Sequence, residues 1–161
     1  MPILDSSEIQ FVSFEPMVQN RFIFYVDGIP SFLIRKATAP GVTMGEIRIE
    51  HINTYRKLKG KAEWKDISLS LYSPISPSGQ VAVMEWVRLH HESATGRDGY
   101  SDFYKKDCNL SILGPVGDIV SEWIIKGAFI KESNFGDYDW AAPDPVDLTL
   151  TLGLDAAELN Y

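Results

Sequence analysis

GEIRIEHINTYRKLKGKAEWKDISLSLYS, residues 45–73, decides the fold. Both ends of it alternate. Ile47 and Ile49 point one way, and Glu46, Arg48 and Glu50 the other. Ile67, Leu69 and Leu71 point one way, and Asp66, Ser68 and Ser70 the other. Neighbouring side chains on a strand face opposite sides, so this period of two describes two strands, each with a dry face and a wet face. Between them, residues 53–63 hold Gly60 with Arg56, Lys57, Lys59 and Lys61, and no acid before Glu63. The stretch reads as a long antiparallel hairpin over 46–72 with a projecting basic tip.

The flanks continue the β pattern. Residues 1–19 lack periodicity, contain Pro2 and Pro16, and read as an N-terminal arm with at most one helical turn. Arg21–Val26 is aromatic and β-branched, Asp27-Gly28 is a turn signal, and Ser31–Lys36 reads as the return strand. Pro74 and Pro77 stop the second arm of the hairpin, and Ser76-Pro77 resembles a helix start. Over 79–93, Ala82, Val83, Trp86, Val87 and Leu89 make an apolar stripe opposite Gln80, Glu85, Arg88 and Glu92: one amphipathic helix. Cys108–Leu113 and Ile119–Phe129 bracket the turn Gly114–Gly117. Residues 131–145 form a loop rich in Gly, Asp, Pro and aromatics. The last strand is the cleanest, with Val146, Leu148, Leu150, Leu152 and Leu154 alternating with Asp147, Thr149, Thr151, Gly153 and Asp155. Seven or so strands and one helix make a mainly β chain of the α+β kind, an antiparallel β-sandwich or part-barrel.

At 161 residues the chain suits a single domain, 1–161, with a real core. Its 45% apolar and 23% charged content is that of a globular protein. No apolar run nears the roughly 20 residues of a membrane span, and MPILDSSEIQ lacks the basic start and apolar core of a secretory signal. Cys108 is the single cysteine, which excludes an internal disulfide and a thiolate zinc cluster and fits a reducing compartment.

The formal charge of −7 is unevenly spread: beyond Lys131 there is no Lys or Arg, but seven carboxylates. A basic hairpin and an acidic C-terminal third are either two solvated surfaces or the halves of a head-to-tail contact between copies. A contact of the second kind closes into a ring or grows into a filament. Net acidity also argues against tight duplex binding.

No catalytic frame is visible. His90 and His91 are helix neighbours about 100° apart and cannot share one metal, so they read as a surface pair. No nucleophile elbow, phosphate loop or dinucleotide fingerprint occurs. Asn109-Leu110-Ser111 matches a glycosylation acceptor but falls within a strand. Trp64, Trp86, Trp123 and Trp140 are expected in packing roles. Asp137-Tyr138-Asp139-Trp140 is the one stretch suited to a cation or sugar, against the plainer reading of an ordered loop that packs its aromatics. The residues therefore describe a non-enzyme without cofactor or metal.

Taken in order, NRFIFYVDG, KATAPG, RKLKGKAEWKDISLSLYSP, the MEWV of the helix, KKDCNLSILGPVGDIVSEWIIKGAFIKESNFGDYDW and VDLTLTLGLD resemble the tail tube proteins of contractile phages of the T-even type. They are also similar to tube proteins of phage-derived injection systems. The resemblance runs from about Asn20 to Leu154 and rests on order and spacing rather than on any one motif. It departs at GAFI-KESN, where relatives often carry Pro after the Phe.

The resemblance implies a virion structural subunit, made in the cytoplasm of a bacterial host, forming homohexameric rings that stack into a hollow tail tube. Each copy would lend about four strands to one multi-subunit β-barrel. About 24 strands at 4.8 Å, tilted by roughly 40°, give a wall radius of about 24 Å and a bore of roughly 40 Å, wide enough for a duplex. Glu50, Asp66, Ser68, Ser70, Asp147, Thr149, Thr151 and Asp155 would line the lumen, and their carboxylates would repel passing DNA. Ile47, Ile49, Ile67, Leu69 and Leu71 would pack inward. Arg56, Lys57, Lys59 and Lys61 would contact neighbouring subunits or rings. Partners implied are other copies, the tail sheath, the baseplate or tube initiator, the tail terminator, and DNA in transit, with no membrane. The rival expectation is a monomeric β-sandwich that binds a ligand through loop 134–140.

Overall fold

The computed structural model describes residues 13–160. The first twelve residues of the expected N-terminal arm lie outside the described part, and residues 13–17 carry no regular structure. The strands are β1 (Phe22–Val26), β2 (Ile34–Ala37), β3 (Val42–His51), β4 (Thr54–Trp64), β5 (Ile67–Tyr72), β6 (Lys106–Leu113), β7 (Ile119–Asn134), β8 (Asp147–Gly153) and β9 (Ala156–Asn160). Helix α1 (Gly79–His90) and the single turn α2 (Ser101–Tyr104) lie between β5 and β6.

Seven strands form one antiparallel sheet in the order β1-β6-β7-β8-β5-β2, with β9 also on β7. The long strand β7 organises it. Its first part pairs β6 and β9, and its last part, from Phe129 to Asn134, pairs β8. A register slip between Ile130 and Glu132 marks the change. Bulges of this kind bend a strand and raise its twist. The two halves of the sheet share one core. Ile67, Leu69 and Leu71 stand opposite Leu152, Leu150 and Leu148. Phe24, Val26, Cys108, Leu110, Ile125 and Ala128 complete the same buried cluster with Val83 and Trp86 of α1. The chain is thus mainly β and sandwich-like with one main helix, as the alternation implies. The sheet does not close on itself: β1 and β2 stand at its two ends.

The hairpin read over 46–72 is corrected. β3 pairs with β4 through the two-residue turn Ile52-Asn53, and β5 pairs with β2 and β8 instead. The basic run is therefore a strand, not a tip. An exposed strand needs no apolar alternation, so its Lys and Arg residues hid it. Every residue of β3 is exposed, and in β4 only Gly60 and Trp64 are partly covered. Ile47 and Ile49, expected inside, are 53% and 51% exposed. β9 also escaped the sequence reading, because Ala-Ala-Glu-Leu-Asn has little strand preference and is held by the β7 edge. The expected return hairpin at Asp27-Gly28 is a turn only, since β1 and β2 go to opposite ends of the sheet.

Helix α1 starts two residues later than Ser76-Pro77 suggested, with the Ser78 hydroxyl accepting from the Val81 amide, and ends at His90 rather than at residue 93. It is fastened at its far end. The Trp86 indole donates to the Tyr104 carbonyl at 2.7 Å. His90 is not half of a surface pair. Its Nδ1 sits 2.8 Å from the Trp86 carbonyl, and its Nε2 accepts from the Ile130 amide at 3.1 Å. Its ring stacks on Tyr104 with centroids 4.5 Å apart.

Candidate functional site

Three surfaces carry unspent chemistry: the wet face of the sheet, the β3–β4 ribbon, and the loop after β7.

The wet face is set by strand register. Lys36, Ser70, Thr149 and Asn134 form one row across β2, β5, β8 and β7, and Ser68, Thr151 and Glu132 form the next. Directly opposed residues in an antiparallel pair share a face. Two ion pairs border the rows: Arg35 with Asp147 at 2.8 Å, and Lys131 with Asp66 at 2.8 Å. The structure thus brings Asp66, Ser68, Ser70, Asp147, Thr149 and Thr151 together, as the alternation implied. It places Glu50 elsewhere, on the ribbon, 3.0 Å from Arg48. Asp155 lies beyond the end of the β5–β8 pairing, at the break between β8 and β9, where Lys105 holds it at 2.8 Å. That bond pushes the Lys105 ammonium above its ordinary range. The face is not simply acidic either. Arg35, Lys36 and Lys131 share it with Asp66, Glu132 and Asp147, so hydroxyls and balanced charges dominate.

The ribbon changes sides along its length. Beyond Gly45, Glu46, Arg48 and Glu50 oppose Lys59, Lys57 and Tyr55 on one face, while Ile47 and Ile49 oppose Leu58 and Arg56 on the other. The polar face is self-satisfied: Lys57 meets Glu46 at 3.2 Å, and the Arg48 guanidinium lies 3.8 Å from the centre of the Tyr55 ring. Near its base the register slips between Met44 and Glu46. That slip turns Ala62 and Trp64 to the other face, where Trp64 packs against the core. The apolar side of the distal ribbon therefore faces away from that anchor. Arg56, Lys57, Lys59 and Lys61 are spread over both faces rather than gathered at a tip. At the turn, Ile52 is 90% exposed with φ of 43°, a conformation that costs a β-branched residue about 1–2 kcal/mol.

The loop after β7 is ordered by its own bonds: Asn134 Oδ1 accepts from the Gly136 amide at 3.0 Å and Asp139 Oδ1 from Ala141 at 3.0 Å. Gln80 of α1 donates to the Tyr138 hydroxyl at 2.6 Å. Phe135 packs against the core. Trp140, expected to pack, has its whole side chain in solvent, and Tyr138 is also exposed. No group of three or more His, Cys, Asp or Glu side chains suited to a metal occurs among the described residues.

No family model matches the chain, and no curated protein is similar to it in sequence. Its fold is that of several solved assembly proteins. The tube-terminating cap of the anti-feeding prophage superposes with a TM-score of 0.76 at 16% identity, over 98% of this chain and 99% of that one. A chain of the sheath-tube complex of an extracellular contractile injection system, in its extended state, gives 0.73 at 17%, over 98% and 99%. Hcp1 of Flavobacterium johnsoniae is more distant, at 0.50 and 13%, over 87% and 94%.

Proposed function

We propose that this chain is a structural tube subunit of a contractile tail or injection particle and carries no reaction of its own. Copies join edge to edge into hexameric rings, and rings stack into a hollow tube through which DNA or another cargo passes. The sheath, a baseplate or initiator component and a terminator would be its partners, and the particle's tail its location.

The observation that carries this reading is the open sheet. β1 and β2 end the sheet without closing it, and a wet hydroxyl-rich face runs across β2, β5, β8 and β7. Free strand edges invite pairing, and a ring removes them by giving each edge a neighbour. The fold shared with a tube-terminating cap and with a sheath-tube complex supports the same assignment. In that ring Asp66, Ser68, Ser70, Asp147, Thr149 and Thr151 line the bore, and the β3–β4 ribbon reaches the adjoining copies.

Negative-stain electron microscopy of the purified protein tests it. Rings or tubes roughly 80–100 Å across are expected, from the barrel radius plus an outer layer. A protein that stays a lone monomer at high concentration sinks the proposal.

A further inference from the structure

The ribbon and the loop after β7 are separate surfaces, and each lacks what the other supplies. The ribbon's outward face joins Ile47, Ile49 and Leu58 to Arg56, with Ile52 at its end, all of the apolar ones well exposed. The loop joins Trp140 and Tyr138 to Asp137, Asp139 and Asp144, with no cation anywhere after Lys131. Five cations and two carboxylates between Glu46 and Lys61 give the ribbon +3, which leaves the rest of the chain at −10 of the total −7.

We infer that the outward face of the β3–β4 ribbon of one copy docks on the aromatic acidic loop, residues 135–146, of a second copy of this chain. The inference rests on the ring-and-tube reading and adds to it the identity of two matching surfaces. Trp, Tyr and Arg are the side chains that dominate interface energies when they are buried together. A Trp held in solvent by a self-bonded loop is an anchor awaiting a pocket, and burying such a ring removes roughly 150–250 Å² from water. Arg56 reaches the carboxylates and the face of an indole, where a guanidinium binds well. Opposite charge fixes the register of the contact. Ribbon and loop are different patches, so the contact is head-to-tail, the kind that closes rings or extends stacks. A single docked patch falls short of the about 800 Å² per partner of a stable complex, so it acts together with the sheet edges in the assembly.

Cross-linking tests it. Leu58→Cys and Ala141→Cys proteins, which keep the Trp140 anchor, are prepared separately, mixed, assembled and oxidised. Cys108 is wholly buried and does not compete. A disulfide-linked dimer that forms only in the mixture is expected. In parallel, Arg56→Asp should lower assembly at least tenfold, Asp137→Arg, which spares the loop's own bonds, should do the same, and the two together should recover it. Tubes that assemble normally without any mixed disulfide, or singles with no effect, overturn this inference and leave the tube reading standing. A wild-type protein that never assembles overturns both. Capture of the loop by a sugar or a cation instead, with the ribbon variants assembling normally, also overturns it.

Discussion

Gly45 and Gly60 face each other across the ribbon so closely that a Cβ on Gly60 would stand 2.9 Å from the Gly45 carbonyl carbon. No real side chain tolerates that distance against backbone. The pair sits at the register slip where the ribbon's apolar side changes face. Gly60→Val should therefore force the strands apart and turn the distal ribbon. The core lies elsewhere, so the body should unfold with a change within about 1 kcal/mol. Assembly should fall sharply, as read by sedimentation and electron microscopy. Normal tubes from Gly60→Val would mean that the direction of the ribbon does not matter.

His90 connects the helix to the bulge in β7. Its Nε2 is the acceptor for the Ile130 amide beside the register slip between Ile130 and Glu132. Removing it leaves a part-buried amide without its partner, which costs about 1–3 kcal/mol. His90→Ala should destabilise by that amount in urea unfolding, and it also loses the stacking on Tyr104. His90→Phe separates the two effects, because it keeps a ring and loses the acceptor. Equal stability of His90→Phe and the wild type would show that the hydrogen bond contributes nothing.

These two features mark where the sequence was legible. Leu148, Leu150 and Leu152 opposite Leu71, Leu69 and Ile67 were readable because one face is dry and the other wet, and the structure pairs them. β3 was readable from its alternation over 46–50, but β4 was not, because its basic run carries no apolar alternation, and so the partner of β3 was mistaken for β5. The wet-face residues of β5 and β8 could be named from alternation alone. Lys36 and Glu132 could not, since their place depends on the register of β2 and β7. Trp140 defied the general expectation that large aromatics pack, and its acidic loop setting, unlike the apolar helix stripe that holds Trp86, was the signal that set it apart.

Cys108 reports on the core. Burial pushes its thiol up to about 12, and Asp107 adds to the effect. The folded state holds the thiol neutral while the unfolded chain ionises it at lower pH. The stability this group supplies is full below about pH 9 and is lost as pH rises toward 12. The loss is up to about 1.4 kcal/mol per pH unit over that window. Urea unfolding at several pH values should show a steeper alkaline decline for the wild type than for Cys108→Ala. Parallel curves would place the thiol in contact with solvent.

The wet face offers the sharpest functional contrast. Ser70 and Thr149 are neighbours in the row that begins at Lys36 and ends at Asn134. Neither takes part in the core, so lysine at both positions should leave the fold intact. If the row lines the bore, each ring gains about twelve cations facing inward, and phosphate contacts of that number bind DNA with strong salt dependence. Tubes of Ser70→Lys/Thr149→Lys should then assemble normally and retain short DNA that is protected from nuclease and released by salt, whereas wild-type tubes retain none. DNA held but fully open to nuclease would put this face on the outside of the tube. Failure to assemble, with the monomer still folded, would make the row a contact between copies, because a wall facing only water accepts lysine at little cost.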